Sequence, residues 1–90
     1  MPHTRFSGEE IIRRGEELYE RRLRRILEIP ENIGKIVSID IETGDYEVDT
    51  DPVAPGLRLQ RRHPDAAIYG KRIGYDAVFS LGGTLPRTAH

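Results

Sequence analysis

Six carboxylates fall between positions 40 and 51: Asp40, Glu42, Asp45, Glu47, Asp49 and Asp51. Oxygen ligands at this density could hold Ca²⁺ or Mg²⁺. The order is not that of a calcium-binding loop, because Asp45-Tyr46-Glu47-Val48-Asp49 carries a bulky Tyr and no following Gly. Two other chemistries remain for these residues. They can form a solvated acidic strand face, partly neutralised by Lys71 or Arg72, or a surface for a basic protein partner. The arginines are segregated too, in 13–25 and again in 58–62. Arg21-Arg22-Leu23-Arg24-Arg25 could meet phosphates. Against that, Arg21 and Arg24 have glutamates four residues before them, and cations near a helix C-terminus are favourable in their own right. No aromatic platform for bases accompanies them.

Nucleophilic or acid–base catalysis finds little support. His63 is the one histidine inside the fold, and general-base work needs a nucleophile and an orienting partner beside it. The chain has no cysteine and no convincing serine or threonine constellation. Asp40-Ile41-Glu42-Thr43-Gly44 brushes against the Asp-Thr-Gly motif of aspartic proteases. The acid directly before Thr-Gly is Glu42, one methylene too long, and the rest of such a protease is missing. Gly34-Lys35, Gly70-Lys71 and Gly82-Gly83 lack the strand–loop–helix context of a phosphate loop. The sequence therefore predicts no catalytic residues, no metal site and no cofactor.

The elements that must position these groups follow from periodicity. Val37, Ile39 and Ile41 alternate with Ser38, Asp40 and Glu42, and Tyr46 and Val48 alternate with Asp45, Glu47 and Asp49. This pattern predicts a β-hairpin turning at Thr43-Gly44. A two-residue loop sets Ile41 opposite Tyr46 and Ile39 opposite Val48 on an apolar face. The other face is acidic. Upstream, Ser7 with Glu10 is a capping box, and Phe6 with Ile11 a hydrophobic staple. A helix is predicted from Gly8 to about Glu28, ended by Pro30. Ile12, Tyr19 and Ile26 centre its apolar stripe, flanked by Gly15, Leu18, Leu23 and Leu27. Its outer side pairs Glu9–Arg13, Glu10–Arg14, Glu17–Arg21 and Glu20–Arg24. Downstream, Pro55 fits only a first helical turn, so a second helix spans Ala54 to Arg62 with Leu57 inward. Ala67 to Ile73 reads as a third strand, with Tyr69 and Ile73 apolar and Arg72 on the acidic side.

Ninety residues make one domain, and such a chain buries only about 60–65 % of its unfolded surface. The expected class is α+β in the order α-β-β-α-β, an antiparallel sheet with the long N-terminal helix on its apolar face. Residues 1–7 are expected to be an arm, 8–81 the domain and 82–90 a tail. A net charge of −1 gives the whole molecule no strong field toward nucleic acid or membrane. The lack of cysteine, of a leader and of a membrane span fits a cytoplasmic protein.

The runs Gly15-Glu-Glu-Leu-Tyr19, Gly34-Lys35, Ile39-Asp-Ile-Glu-Thr-Gly-Asp-Tyr46, His63-Pro-Asp65, Tyr69, Arg72-Ile-Gly74 and Leu81-Gly-Gly83 together resemble a group of small bacterial proteins frequent in cyanobacteria. The likeness covers roughly residues 8–83. Its members often lie beside genes for retropepsin-like aspartic proteases or other partners. The resemblance implies an antitoxin-like or accessory module and brings no catalytic residues; this chain departs from it at Pro55-Gly56, where a longer amphipathic run is usual. The expected function is a non-catalytic interaction module for a cognate protein partner. The candidate contact residues are Arg14, Arg21 and Arg25 on the helix and Asp40, Glu42, Asp45 and Glu47 on the hairpin. A nucleic-acid-binding regulator using the arginine-rich helix is the alternative, and a homodimer is compatible with either.

Overall fold

The computed structural model describes residues 5–75; the expected tail, and the end of the domain up to residue 81, lie outside that range. The chain runs α1 (Gly8–Leu18), a π-helical turn (Tyr19–Leu23), α2 (Arg24–Leu27), β1 (Ile36–Asp40), β2 (Tyr46–Asp49), α3 (Ala54–Arg62) and β3 (Ile68–Arg72). The first three form the long N-terminal helix. The sheet is antiparallel with order β2-β1-β3, so β1 is central. The class is α+β in the expected order.

Helix entry follows from local chemistry. Ser7 Oγ accepts the Glu10 N–H at 3.1 Å, satisfying one of the orphan donors of the first turn. Glu10 turns its carboxylate outward to Arg14 at 3.2 Å. Phe6 and Ile11 both pack on the core edge, as a staple requires. Glu17–Arg21 (3.7 Å) and Glu20–Arg24 (2.7 Å) form as the spacing predicts, whereas Arg13 approaches Glu10.

The buried stripe is not centred where a regular helix would put it. Gly15, Tyr19, Leu23 and Leu27 are buried, while Ile12 and Ile26 are exposed. With the half-buried Ile11 this is a spacing of four throughout. Such a row drifts about 40° per step on an ideal α-helix. The π turn at Tyr19–Leu23 has more residues per turn and removes much of that drift, so Leu23 and Leu27, not Ile26, face the sheet. The face they meet carries Val37 and Ile39 of β1, Tyr46 and Val48 of β2, and Tyr69 and Lys71 of β3, which pair across the ladder. Ile41 and Ala67, just beyond the strands, and Ile73 complete the core.

Gly15 is there because of Tyr69. A Cβ at Gly15 would lie 2.1 Å from Tyr69 Cγ, inside any van der Waals contact, so the tyrosine ring lies against bare helix backbone. Gly15 costs helix stability of about 1 kcal/mol relative to alanine, and the fully buried ring is what it makes room for.

The hairpin register differs by two residues from expectation. Ile39 lies opposite Tyr46 and Val37 opposite Val48, because the loop is longer than Thr43-Gly44. Asp40 N–H donates to Asp45 O and Gly44 N–H to Asp40 O, each at 2.8 Å. The Asp40 carboxylate accepts the Glu42 N–H at 2.9 Å and lies 3.4 Å from the Thr43 N–H. Asp40 thus builds a turn out of residues 41–44 (Gly44 with φ +82°), where a two-residue loop would have left it in the ladder. Because the slip is by an even number, every side chain keeps its face.

The second correction concerns the acidic face. It is not a freely solvated face, because α3 lies across β1 and β2 on that side and leaves the carboxylates at 45, 47 and 49 only partly exposed. Pro55 and Leu59 are the buried residues of α3, and Leu57, expected inward, is half exposed. Lys71 also changes sides: it is on the N-terminal helix side, buried, with Nζ 5.0 Å above the Tyr19 ring and donating to Tyr75 O. Arg72 does lie on the acidic side, paired across the ladder with Ile36.

Candidate functional site

The hairpin and α3 form a charge clamp. Carboxylates at 45, 47 and 49 meet Arg58 and Arg62, which α3 brings to one side at i and i+4, and His63 at its C-cap. Arg58 Nη2 donates to Asp49 at 2.6 Å and Arg58 lies 3.6 Å from Glu47. Arg62 bridges Glu47 and Asp45, the latter at 2.8 Å. His63 Nε2 is 3.0 Å from Asp45, and its Nδ1 is 3.9 Å from the buried carboxylate of Asp40. Arg62 and then His63 hold the Asp45 carboxyl down to about 2. The Asp51 backbone N–H, followed by Arg58, holds Asp49 at about 2. Both arginines are held more firmly protonated by the same contacts.

This arrangement has the form of a structural clamp. His63 and Asp45 make a base-and-orienter pair, but Arg62 occupies the same carboxylate, and among the described residues no serine hydroxyl bonds the imidazole. Thr43 Oγ1 accepts the Asp45 N–H at 3.0 Å and closes the loop. Among the described residues, no group of three His, Cys, Asp or Glu side chains is placed to hold a metal ion.

The candidate contact residues are therefore held in different ways. Asp40 is buried in the turn. Glu42 is exposed and makes two hydrogen bonds with Arg5, at 2.7 and 2.9 Å, which ties down a residue assigned by sequence to the arm. Asp45 and Glu47 are in the clamp. On the helix, Arg14 lies 4.9 Å over the Phe6 ring besides pairing with Glu10, and Arg21 pairs with Glu17. Arg25 is exposed and, among the described residues, has no carboxylate partner. Glu42 and Arg14 come together through Arg5 and Phe6, since Arg5 bonds Glu42 and both arginines lie over the Phe6 ring.

Sequence reasoning did not anticipate a second group, between the N-terminal helix and β3. Glu16, Tyr19, Glu20, Tyr69 and Lys71 line a cavity of about 140 Å³. Tyr19 donates its hydroxyl to Glu28 Oε2 at 2.7 Å, and burial, then Glu28, pushes this phenol up. Tyr69 is 2 % exposed and its hydroxyl has no hydrogen-bond partner among the described residues. Burial raises the Tyr69 phenol most. The Glu16 carboxylate raises it further, close by yet outside good hydrogen-bond geometry. The sequence signal for this site was present: Glu16 and Glu20 at i, i+4 beside a helix glycine.

No protein-family model, curated protein or solved structure matches this chain. No helix among the described residues is long and apolar enough to cross a membrane.

Proposed function

We propose that this protein is a non-catalytic interaction module, antitoxin-like or accessory in type, that binds a cognate protein partner through the N-terminal helix side of the molecule. One observation carries the reading. The carboxylates of the hairpin are occupied within the fold, whereas large apolar side chains remain outward where the helix ends: Ile26, Ile29, Ile33 and Tyr75 are all exposed. Arg25 adjoins Ile26, and Arg22 precedes it by one turn. Exposed aliphatic and aromatic side chains bordered by arginine are what the centre and rim of a protein interface use. Of the residues singled out from sequence, Arg25 belongs to this surface. Asp45 and Glu47 support it indirectly, by holding the hairpin to α3.

The test is affinity capture from the organism's own lysate with nuclease present, comparing wild type with Ile26→Asp and Arg25→Glu. A discrete protein retained by wild type at moderate salt and lost with both variants supports the reading. A protein retained equally by all three removes this surface. Recovery of nucleic acid alone without nuclease, released as salt rises, replaces it with the regulator reading, in which the arginine-rich helix meets phosphates.

A further inference from the structure

β3 is an edge strand with nothing paired to its outer side among the described residues. Ladder alternation says which groups are offered there. Ile41 N–H donates to Ala67 O and Ile73 N–H to Lys35 O, so odd-numbered residues of this strand bond inward to β1. Ile68 and Gly70 therefore turn their backbone N–H and C=O outward. Open edges are templates for another strand.

The cavity beside Tyr69 flanks this edge. On the β1 side of β3 it is closed by Val37 and Ile39, neither of which has any exposure, while Glu16 and Glu20 on its other wall are exposed. It therefore opens outward, over the free edge. Its charges are unequally engaged. Glu20 is taken by Arg24 at 2.7 Å, and Lys71 by the Tyr19 ring and Tyr75 O. Glu16 has no cationic partner among the described residues, and beside it lies the buried, unpartnered Tyr69 hydroxyl. A water molecule occupies about 30 Å³ in the liquid, so 140 Å³ admits a side-chain tip.

We infer that β3 accepts an extended peptide segment of a partner protein by strand addition, with a lysine or arginine of that segment entering the cavity to bond Glu16 and Tyr69 Oη. Main-chain bonds to Ile68 and Gly70 supply affinity, and the cavity reads one alternate side chain, as in other strand-addition sites. This rests on the interaction-module reading and names a second contact of that module. A second copy of this chain fits the edge poorly, since two-fold pairing brings two N-terminal helices together with Glu16 and Glu20 on both.

The experiment selects randomised heptapeptides displayed on phage against the full chain, then maps a selected peptide by amide exchange. The expected peptides carry Lys or Arg at one position among β-branched residues, and binding slows exchange at Ile68 and Gly70. Glu16→Lys lowers affinity at least tenfold, and a peptide with Glu in place of the basic residue recovers it. Tyr69→Phe weakens binding several-fold with Tm unchanged or raised; a fall in Tm without loss of binding makes the hydroxyl merely structural and overturns its assigned role. No selected peptide, selection without a basic preference, or protection elsewhere overturns the proposal. So does slow exchange at Ile68 and Gly70 in the unliganded chain, which would mean that residues 76–90 or a second copy already occupy the edge. A cognate protein that still binds Glu16→Lys and Gly70→Pro but not Ile26→Asp removes this contact and leaves the helix-end surface standing.

Discussion

The two faces of the sheet are covered by helices in opposite ways. On one, the N-terminal helix seals Tyr19, Leu23 and Leu27 against Val37, Ile39 and Tyr69, all nearly or wholly buried. On the other, α3 is held largely by exposed arginine–carboxylate pairs around one deeply buried leucine, Leu59. Burial of apolar surface stabilises by about 25 cal/mol per Å², whereas exposed ion pairs contribute about 0–1 kcal/mol each. The first face carries the stability, and the second carries geometry: it sets where α3 lies and engages the carboxylates at 45, 47 and 49 in ion pairs.

The sharpest way to break the first face is at the Gly15–Tyr69 contact. Tyr69→Ala should cost about 3–5 kcal/mol, as for other large aromatic truncations, a large share of the ~5–15 kcal/mol that holds a domain together. Gly15→Ala should also destabilise, although alanine favours the helix by about 1 kcal/mol. A Cβ placed 2.1 Å from the ring forces displacement, and overpacking costs about 1–3 kcal/mol. The double variant should be less destabilised than the sum of the singles, because the truncated side chain leaves room for the new methyl group. Urea unfolding of the three variants measures this. A Gly15→Ala protein more stable than wild type would show that the close seat of Tyr69 is not required.

A smaller effect belongs to the turn between the faces. Asp40→Ala removes the acceptor for the Glu42 N–H and should cost about 1–2 kcal/mol, the scale of losing a capping side chain. Asp40→Asn keeps an acceptor oxygen and should cost less. Equal losses in the two would assign the effect to the charge facing His63 and not to the turn.

Asp40 also shows why part of the fold was legible in the sequence and part was not. Period-two alternation located both hairpin strands and their faces, and Pro55 with His63-Pro64 bounded α3 at both ends. The register was not legible, because it depends on whether a side chain competes for backbone N–H groups, and Asp40 is both a strand residue and a turn builder. The π turn likewise leaves no mark in a helical-wheel count, so Ile26 looked central and Leu27 peripheral. The clamp could have been read: Arg58, Arg62 and His63 at helical spacing face Glu47, Asp49 and Asp45 at strand spacing. Taken singly, each run has the pattern of a solvated face or a phosphate surface, and only the pairing of the two reveals the clamp.

The smallest effects lie in the clamp, and pH separates its two halves. Asp45 and Asp49 sit at about 2 in the folded chain, below the ordinary 3.8. A depressed carboxyl pKa contributes stability that is fully present above the unfolded value, and it is lost as pH falls from about 4 toward 2. Tm should therefore drop across that window. The cause of the depression differs between the two residues. For Asp45 it is first the Arg62 side chain; for Asp49 it is first the Asp51 backbone N–H, with Arg58 second. Arg62→Ala should thus lower Tm slightly at pH 7, with the difference from wild type closing by pH 2, and should move the Asp45 carboxyl back toward 3.8. Arg58→Ala should move Asp49 less, because the backbone donor remains. Carboxyl ¹³C titration of both variants decides it. If Asp49 returns to an ordinary value in Arg58→Ala, then α3 and not the Asp51 turn holds that carboxylate, and the whole acidic face would depend on one helix.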